Sequence, residues 1–135
     1  MPIRVGDRAS HEFVVEAADM EWFQQVSRDD SRIHTDAEYA RARGFKDVIA
    51  YGGIMLAHLS HVLGTRLPGT LGTSTQWTIE YRKPLYIGER ARLDLEVKHT
   101  SPLGVVESKF TITAAGRTVA TGSTQSMVPP EEIVE

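Results

Sequence analysis

Gly53-Ile54-Met55-Leu56-Ala57-His58-Leu59-Ser60-His61-Val62-Leu63-Gly64 is apolar around most of its helical circumference, with only His58, Ser60 and His61 interrupting. A helix of this pattern is surrounded by protein rather than laid on a surface. Leu67-Pro68-Gly69 marks its exit into a loop. Beyond that point the hydrophobic period becomes two. Trp77, Ile79 and Tyr81 alternate with Gln76, Thr78, Glu80 and Arg82, and Leu93, Leu95 and Val97 alternate with Arg92, Asp94, Glu96 and Lys98. Residues 105–113 and 118–128 extend the pattern across the turn Ala114-Ala115-Gly116-Arg117, so the second half predicts an antiparallel meander. Upstream, His11 to Glu16 predicts a short strand. Residues 17–27 predict a helix with Asp19 as its candidate N-cap and with Trp22, Phe23 and Val26 on one face. A further short helix runs from Asp36 to Arg43 and stops at Gly44, which leaves residues 28–35 as a loop between helices. The implied architecture is α+β, with one long helix buried against a curved antiparallel sheet of about five strands.

Composition narrows the function classes. A chain of 135 residues is the size of one ordinary domain, expected over residues 1–128, with 129–135 as a frayed, flexible C-terminal tail rich in proline and glutamate. No repeat or linker divides it. Fifteen basic residues against 18 acidic give a formal charge of −3, and no basic stretch resembles a nucleic-acid face, so nucleic-acid binding is not expected. There is no cysteine, which excludes disulfides, cysteine nucleophiles and thiolate metal sites. The N-terminal residues lack the apolar stretch of a secretory signal, and no run approaches the ~20 apolar residues of a membrane span, so no membrane association and a cytoplasmic location are the expectation.

Candidate chemistry gathers in two places. Asp29 and His34 lie five positions apart in a segment too polar for the core, offering a base and an acid whose reference pKa values bracket a range suited to adding or removing water. The structural alternative is a turn cap and a solvated loop histidine. Gly52-Gly53 opens the buried helix, where unpaired N–H groups and the helix dipole favour an oxyanion and glycine permits close approach of a ligand. The same glycines also suit tight packing alone. Ser60 lies about two turns further along and can touch a ligand or bond back to its own helix. His58 and His61 have the three-residue spacing of a metal pair, but no carboxylate accompanies them at motif spacing, and hydrogen-bonded histidines at a sheet or subunit boundary are the better reading, with no metal expected. Arg82 and Lys83, at a strand end before Pro84, are weak candidates for the phosphates of a carrier, against the alternative of a solvated edge.

The segment Asp29-Asp30-Ser31-Arg32-Ile33-His34-Thr35-Asp36, followed by Ile49-Ala50-Tyr51-Gly52 and the apolar helix, resembles the MaoC-like dehydratase family, in particular its (R)-specific enoyl-CoA hydratases of the hot-dog fold. The family pattern is Asp-x-Asn-Pro-x-His-x-Asp followed by a stretch like Ile-x-His-Gly. Tyr81-Arg82-Lys83-Pro84-Leu85-Tyr86-Ile87-Gly88-Glu89 also looks like the family's strand, proline and Gly-acidic turn. Ser31 stands where asparagine is usual, Arg32 where proline is usual and Tyr51 where histidine is usual. The resemblance implies a hot-dog fold, a curved antiparallel sheet wrapped around one long buried helix. Asp29 and His34 match the catalytic dyad, and Gly52 matches the glycine whose N–H binds the thioester oxygen. Ser60, with Ser31 and Tyr51 at the neighbouring motif positions, is implied to line that site.

The activity so implied is a hydro-lyase that reversibly hydrates a trans-2-enoyl thioester to an (R)-3-hydroxyacyl thioester. It needs no cofactor, coenzyme A or acyl carrier protein being part of the substrate. The acyl tail is expected near Phe45, Met55 and Trp77. The resemblance further implies a homodimer, open to higher assembly, with its sites near the interface. Two other functions stay open: an acyl-CoA thioesterase, and a non-catalytic acyl-thioester binding module.

Overall fold

A helix that is apolar on nearly every side must be walled on nearly every side, and the chain meets this with a sheet that curls around it. The computed structural model describes residues 2–135; Met1, the first residue of the expected domain, lies outside the described residues. The elements are β1 (Arg8–Val14), α1 (Ala17–Ser27), α2 (Arg32–Thr35), α3 (Ala37–Ala42), α4 (Gly52–Thr65), β2 (Thr73–Tyr81), β3 (Arg90–Thr100), β4 (Val105–Ala114) and β5 (Arg117–Met127), followed by a short 3-10 turn at Pro130–Glu132. The five strands form one antiparallel sheet in the order β1-β3-β4-β5-β2. This is the expected α+β arrangement of a sheet wrapped around a long helix.

The core lies between α4 and one face of that sheet. From α4, Ile54, Met55, Leu59, Val62 and Leu63 are buried; opposite them are alternate residues of β3 (Ala91, Leu93, Leu95, Val97) and of β4 (Val106, Phe110, Ile112). Each large apolar side chain so removed from water contributes roughly 2 kcal/mol.

Several boundaries differ from the sequence reading for local reasons. The first strand occupies Arg8–Val14 rather than 11–16, because its register against β3 runs from Arg8 opposite Glu96 to Val14 opposite Arg90. Glu16, not Asp19, is the N-cap of α1; Asp19 sits three residues inside and its carboxylate accepts from the Glu16 N–H at 2.9 Å. Residues 28–35 are not all loop, since Arg32–Thr35 forms a single helical turn. The meander holds for β3, β4 and β5, whereas β2 pairs with β5 at the opposite edge from β1. The reason is that α4 touches both edge strands, β1 and β2, so it crosses the sheet and delivers the chain to the far side. The segment expected to fray is tied down: Ile3 donates to Glu132 O at 2.7 Å, Val134 donates to Ile3 O at 2.9 Å, and Ile133 packs against the core.

Gly122 of β5 shows how tightly the β5–β2 pair closes. A Cβ there would lie 2.0 Å from the Thr78 carbonyl oxygen and 2.5 Å from the Phe110 ring. Because the obstacle is backbone, Gly122→Ala is expected to cost about 2 kcal/mol and to lower Tm by roughly 5–8 °C in a thermal melt.

His58, on α4, stacks on Phe13 with ring centres 3.9 Å apart, and its Nδ1 lies 3.0 Å from His11 Nε2; His61 approaches His11 at 4.6 Å between ring centres. Burial, then the charges of His61 and Arg66, lower the pKa of His11; burial, then His11, lowers that of His58, with Asp19 opposing. The unfolded chain therefore binds the extra protons as pH falls below the ordinary value of 6.5. Stability is full above that value and declines as pH falls toward the depressed folded values. Tm is expected to be lower at about pH 5.5 than at about pH 7.5, with a smaller difference in His11→Gln; calorimetry at the two pH values checks it.

Candidate active site

The site begins where α1 ends. Arg28 takes the left-handed conformation (φ 60°) and its N–H returns to Gln24 O at 2.8 Å, which turns the chain outward into residues 29–31. Asp29 then folds back on the backbone: its Oδ1 accepts from the Ser31 N–H at 2.9 Å and from the Ser31 hydroxyl at 2.5 Å. This is the short polar turn that aspartate favours. The hydroxyl and N–H of Ser31 hold the Asp29 carboxyl below the usual carboxylate range, and His34 adds a smaller effect in the same direction. Asp29 is thus a carboxylate near neutral pH, close enough to His34 to sense its charge.

His34 lies on the one-turn helix α2. Its Nδ1 is 2.8 Å from Ile49 O, and because a carbonyl only accepts, Nδ1 carries the proton and Nε2 of the neutral ring keeps its lone pair. Residues 49–51 are held from both sides: Ile49 N–H donates to Ile33 O at 3.1 Å and Ala50 N–H to Leu85 O at 2.8 Å. The Leu85 side is itself clamped. Arg117 Nη2 donates to Pro84 O at 2.7 Å and pairs with Glu89, whose carboxylate also accepts from the Tyr86 N–H at 2.9 Å.

Between these segments lies a cleft of about 410 Å³, walled by His34, Phe45, Met55, Tyr81, Lys83 and Gly52 among others. Gly52 opens α4, so its N–H has no acceptor within the helix and the positive end of the helix dipole meets the cleft. A side chain there would press on the tip of a neighbour: a Cβ on Gly52 would lie 2.5 Å from Cζ and 2.6 Å from Oη of Tyr81. Gly53 is similarly pressed by the Phe23 ring, at 2.2 Å from a would-be Cβ. Burial raises the pKa of Tyr81, so its phenol is a donor in the neutral range. An imidazole lone pair and an unpaired helix N–H on one mostly apolar cleft, with the Asp29 carboxylate outside its lining but near enough to His34 to feel its charge, can move protons beside a carbonyl whose oxygen becomes negative.

The remaining candidates divide. Arg82 and Lys83 line the cleft, though Arg82 is engaged by Glu80 at 2.8 Å and by Thr121 at 3.0 Å. Phe45 and Met55 are in its wall as expected, whereas Trp77, on the exposed edge strand β2, is not. Ser60 is exposed on α4 and outside the cleft. Eight residues beyond Gly52 it is rotated by about 80° and displaced by two turns. Asp29, Ser31 and Tyr51 do not wall the cleft either; the hydroxyls of Ser31 and Tyr51 are committed to Asp29, that of Tyr51 to its carbonyl oxygen at 2.5 Å. His58 turns to His11 and Phe13, and among the described residues no three His, Cys, Asp or Glu side chains are grouped to hold a metal ion. Sequence reasoning missed Tyr81 as a cleft residue and the Arg117–Glu89 clamp. The bulk facing Gly52 comes from a strand 29 residues away, which no local pattern announces.

Residues 4–121 match the family described as MaoC like domain. The chain is 32% identical to an (R)-specific enoyl-CoA hydratase from Rhodospirillum rubrum, over 94% of this chain and 89% of that protein. It is 23% identical to an (R)-specific enoyl-CoA hydratase from Aeromonas caviae, over 94% and 96% of the two chains. Among solved structures it superposes on an unliganded R-hydratase from Pseudomonas aeruginosa with a TM-score of 0.86 at 30% identity, covering 94% of this chain and 83% of that one. It also superposes on an (R)-hydratase from A. caviae with a TM-score of 0.87 at 22% identity, covering 94% and 98%; that likeness bears on the hot-dog fold. With the family pattern matched over most of its length, and with His34 and Gly52 on one cleft at the N-terminus of α4, the chain belongs to the MaoC-like domain family.

Proposed function

We propose that the protein is an enoyl-thioester hydro-lyase that adds water reversibly to a trans-2-enoyl-CoA to give the (R)-3-hydroxyacyl-CoA. The observation that carries this reading is the placement of the His34 Nε2 lone pair, fixed by the Nδ1 bond to Ile49 O, in the same cleft as the N-terminus of α4. Water held between Asp29 and His34 attacks the β-carbon, and its proton passes to the dyad as the new C–O bond forms. The electrons of the double bond move onto the thioester oxygen, where the Gly52 N–H stabilises the enolate. The dyad then returns a proton to the α-carbon. Neither oxidation nor reduction takes place, so no redox cofactor is invoked. In this reading Ser31 orients the Asp29 carboxylate rather than touching substrate. The acyl tail follows Met55 and Phe45, and Lys83 is better placed than the already paired Arg82 for a carrier phosphate.

We also assign the working form as a homodimer joined through β2. Among the described residues that strand pairs with β5 alone, so one edge offers unpaired N–H and C=O groups, and it carries the exposed Trp77 and Tyr81. Such a joint would enclose the cleft at Tyr81 and give the exposed Ser60 a partner to face.

The test is loss of the conjugated enoyl-thioester absorbance on adding protein, with free thiol measured in parallel. Rapid loss without thiol is expected, and His34→Ala and Asp29→Asn should each lower kcat by roughly 10²–10⁴-fold. Thiol release would move the assignment to a thioesterase, and saturable binding without turnover to an acyl-thioester binding module.

Gly52→Ala separates the site from the fold. The added methyl meets only the tip of the half-exposed Tyr81, which can swing, so Tm should stay within about 3 °C of wild type. Activity should nevertheless fall by roughly 10²-fold, since the methyl stands beside the oxyanion donor. Calorimetry and the same absorbance assay read the two effects.

A further inference from the structure

We infer that Tyr51 is the positioning residue that sets Asp29 and His34 in register with each other and with the helix N-terminus, an inference that rests on the hydratase reading. Tyr51 is 2% exposed and is the N-cap of α4, immediately before Gly52. Its phenol donates to the backbone carbonyl of Asp29 at 2.5 Å, its ring lies 4.2 Å from the His34 ring between centres, and on another side it meets Phe23 at 4.8 Å. One buried side chain thus touches both halves of the dyad while its own backbone begins the helix that would hold the oxyanion. Burial, reinforced by the negative charges of Asp29 and Asp30, raises the phenol's pKa, so the group remains an O–H donor across the neutral range.

The geometry explains why a tether is needed at this place. Asp29 follows a residue in the left-handed conformation, and the short turn after it is held by Ser31 through the Asp29 side chain. Arg32, at the start of α2, has a free φ that a proline would lack. Ser31 therefore orients the carboxylate relative to its own loop, but it does not fix that loop relative to the rest of the protein. The Tyr51 phenol does so, across 22 residues of sequence. His34 receives its complementary restraint from Ile49 O two residues upstream, so both partners of the dyad are referenced to residues 49–51. Tyr51 does not wall the cleft, so it acts on the reaction through the dyad, of which His34 is in the cleft wall.

The experiment compares wild type, Tyr51→Phe, Asp29→Asn and the double variant, by enoyl-CoA hydration kinetics and by amide hydrogen exchange of the native chain. Phenylalanine keeps the ring against His34 and Phe23 and removes only the tether. Tyr51→Phe is expected to speed exchange selectively in residues 29–35 and to lower kcat roughly tenfold, with KM changed less than about twofold. In the Asp29→Asn background it should cause no further loss, because the phenol acts through the aspartate; a purely structural contribution would lower both backgrounds equally. Unchanged exchange at 29–35, or full additivity of the two substitutions, overturns the inference. If wild type fails to hydrate any enoyl-CoA, the hydratase reading falls on its own and exchange alone judges the tether: selective acceleration upholds it, and no change overturns it.

Discussion

Everything in this molecule depends on the burial of α4. Leu59 and Val62 are fully removed from solvent, and Ile54, Met55 and Leu63 nearly so. A helix with that demand stays folded only if a sheet curves around it. The curvature has a consequence for chemistry, because a helix enclosed along its length still presents its N-terminus at the rim of the sheet. The first N–H groups of α4 have no intrahelical acceptors, and glycine at positions 52 and 53 keeps side chains away from them. The packing that stabilises the protein therefore also exposes a polarised backbone donor beside an apolar cleft.

The polar residues are organised around that rim in two tiers. Asp29 and His34 belong to a short, exposed connection between α1 and α3 that has little core of its own. Its order comes from hydrogen bonds to the segment leading into α4: Ile33 O to the Ile49 N–H, His34 Nδ1 to Ile49 O, and Asp29 O to the Tyr51 phenol. That segment is in turn fixed by Ala50 N–H on Leu85 O, and the Pro84–Glu89 turn is locked by the Arg117–Glu89 pair. The Glu89 carboxyl is held below its usual range chiefly by the Arg117 hydrogen bond, so the clamp remains charged at neutral pH. A chain of specific polar contacts thus carries rigidity from the sheet out to a loop.

The departures from the family pattern sit within this second tier. Ser31 keeps a hydrogen bond to the Asp29 carboxylate through both hydroxyl and N–H, Arg32 gives up the fixed backbone angle of a proline, and Tyr51 reaches the Asp29 carbonyl with a longer side chain than histidine has. None of the three faces the cleft. They change how the loop carrying Asp29 and His34 is held, while Asp29, His34 and Gly52 keep the residue types of the family pattern.

The buried helix, the strand period and the short helix ending at Gly44 were legible from residues 36–128 because each rests on local periodicity, capping and turn chemistry, which a linear sequence records. Asp29, His34 and the opening glycines stood out as candidates for the same reason, as spacing within short motifs. What only tertiary structure decided are the relations made across the sheet. They include the passage of β2 to the edge opposite β1, the docking of residues 132–134 on Ile3, the exposure of Ser60 and Trp77, the pressure of Tyr81 on Gly52, and the commitment of the Tyr51 phenol to Asp29. These follow from the direction in which α4 crosses the sheet and from side chains that meet over 20 or more residues of sequence. Such contacts depend on the summed packing of the whole core, which no local stretch of the chain encodes.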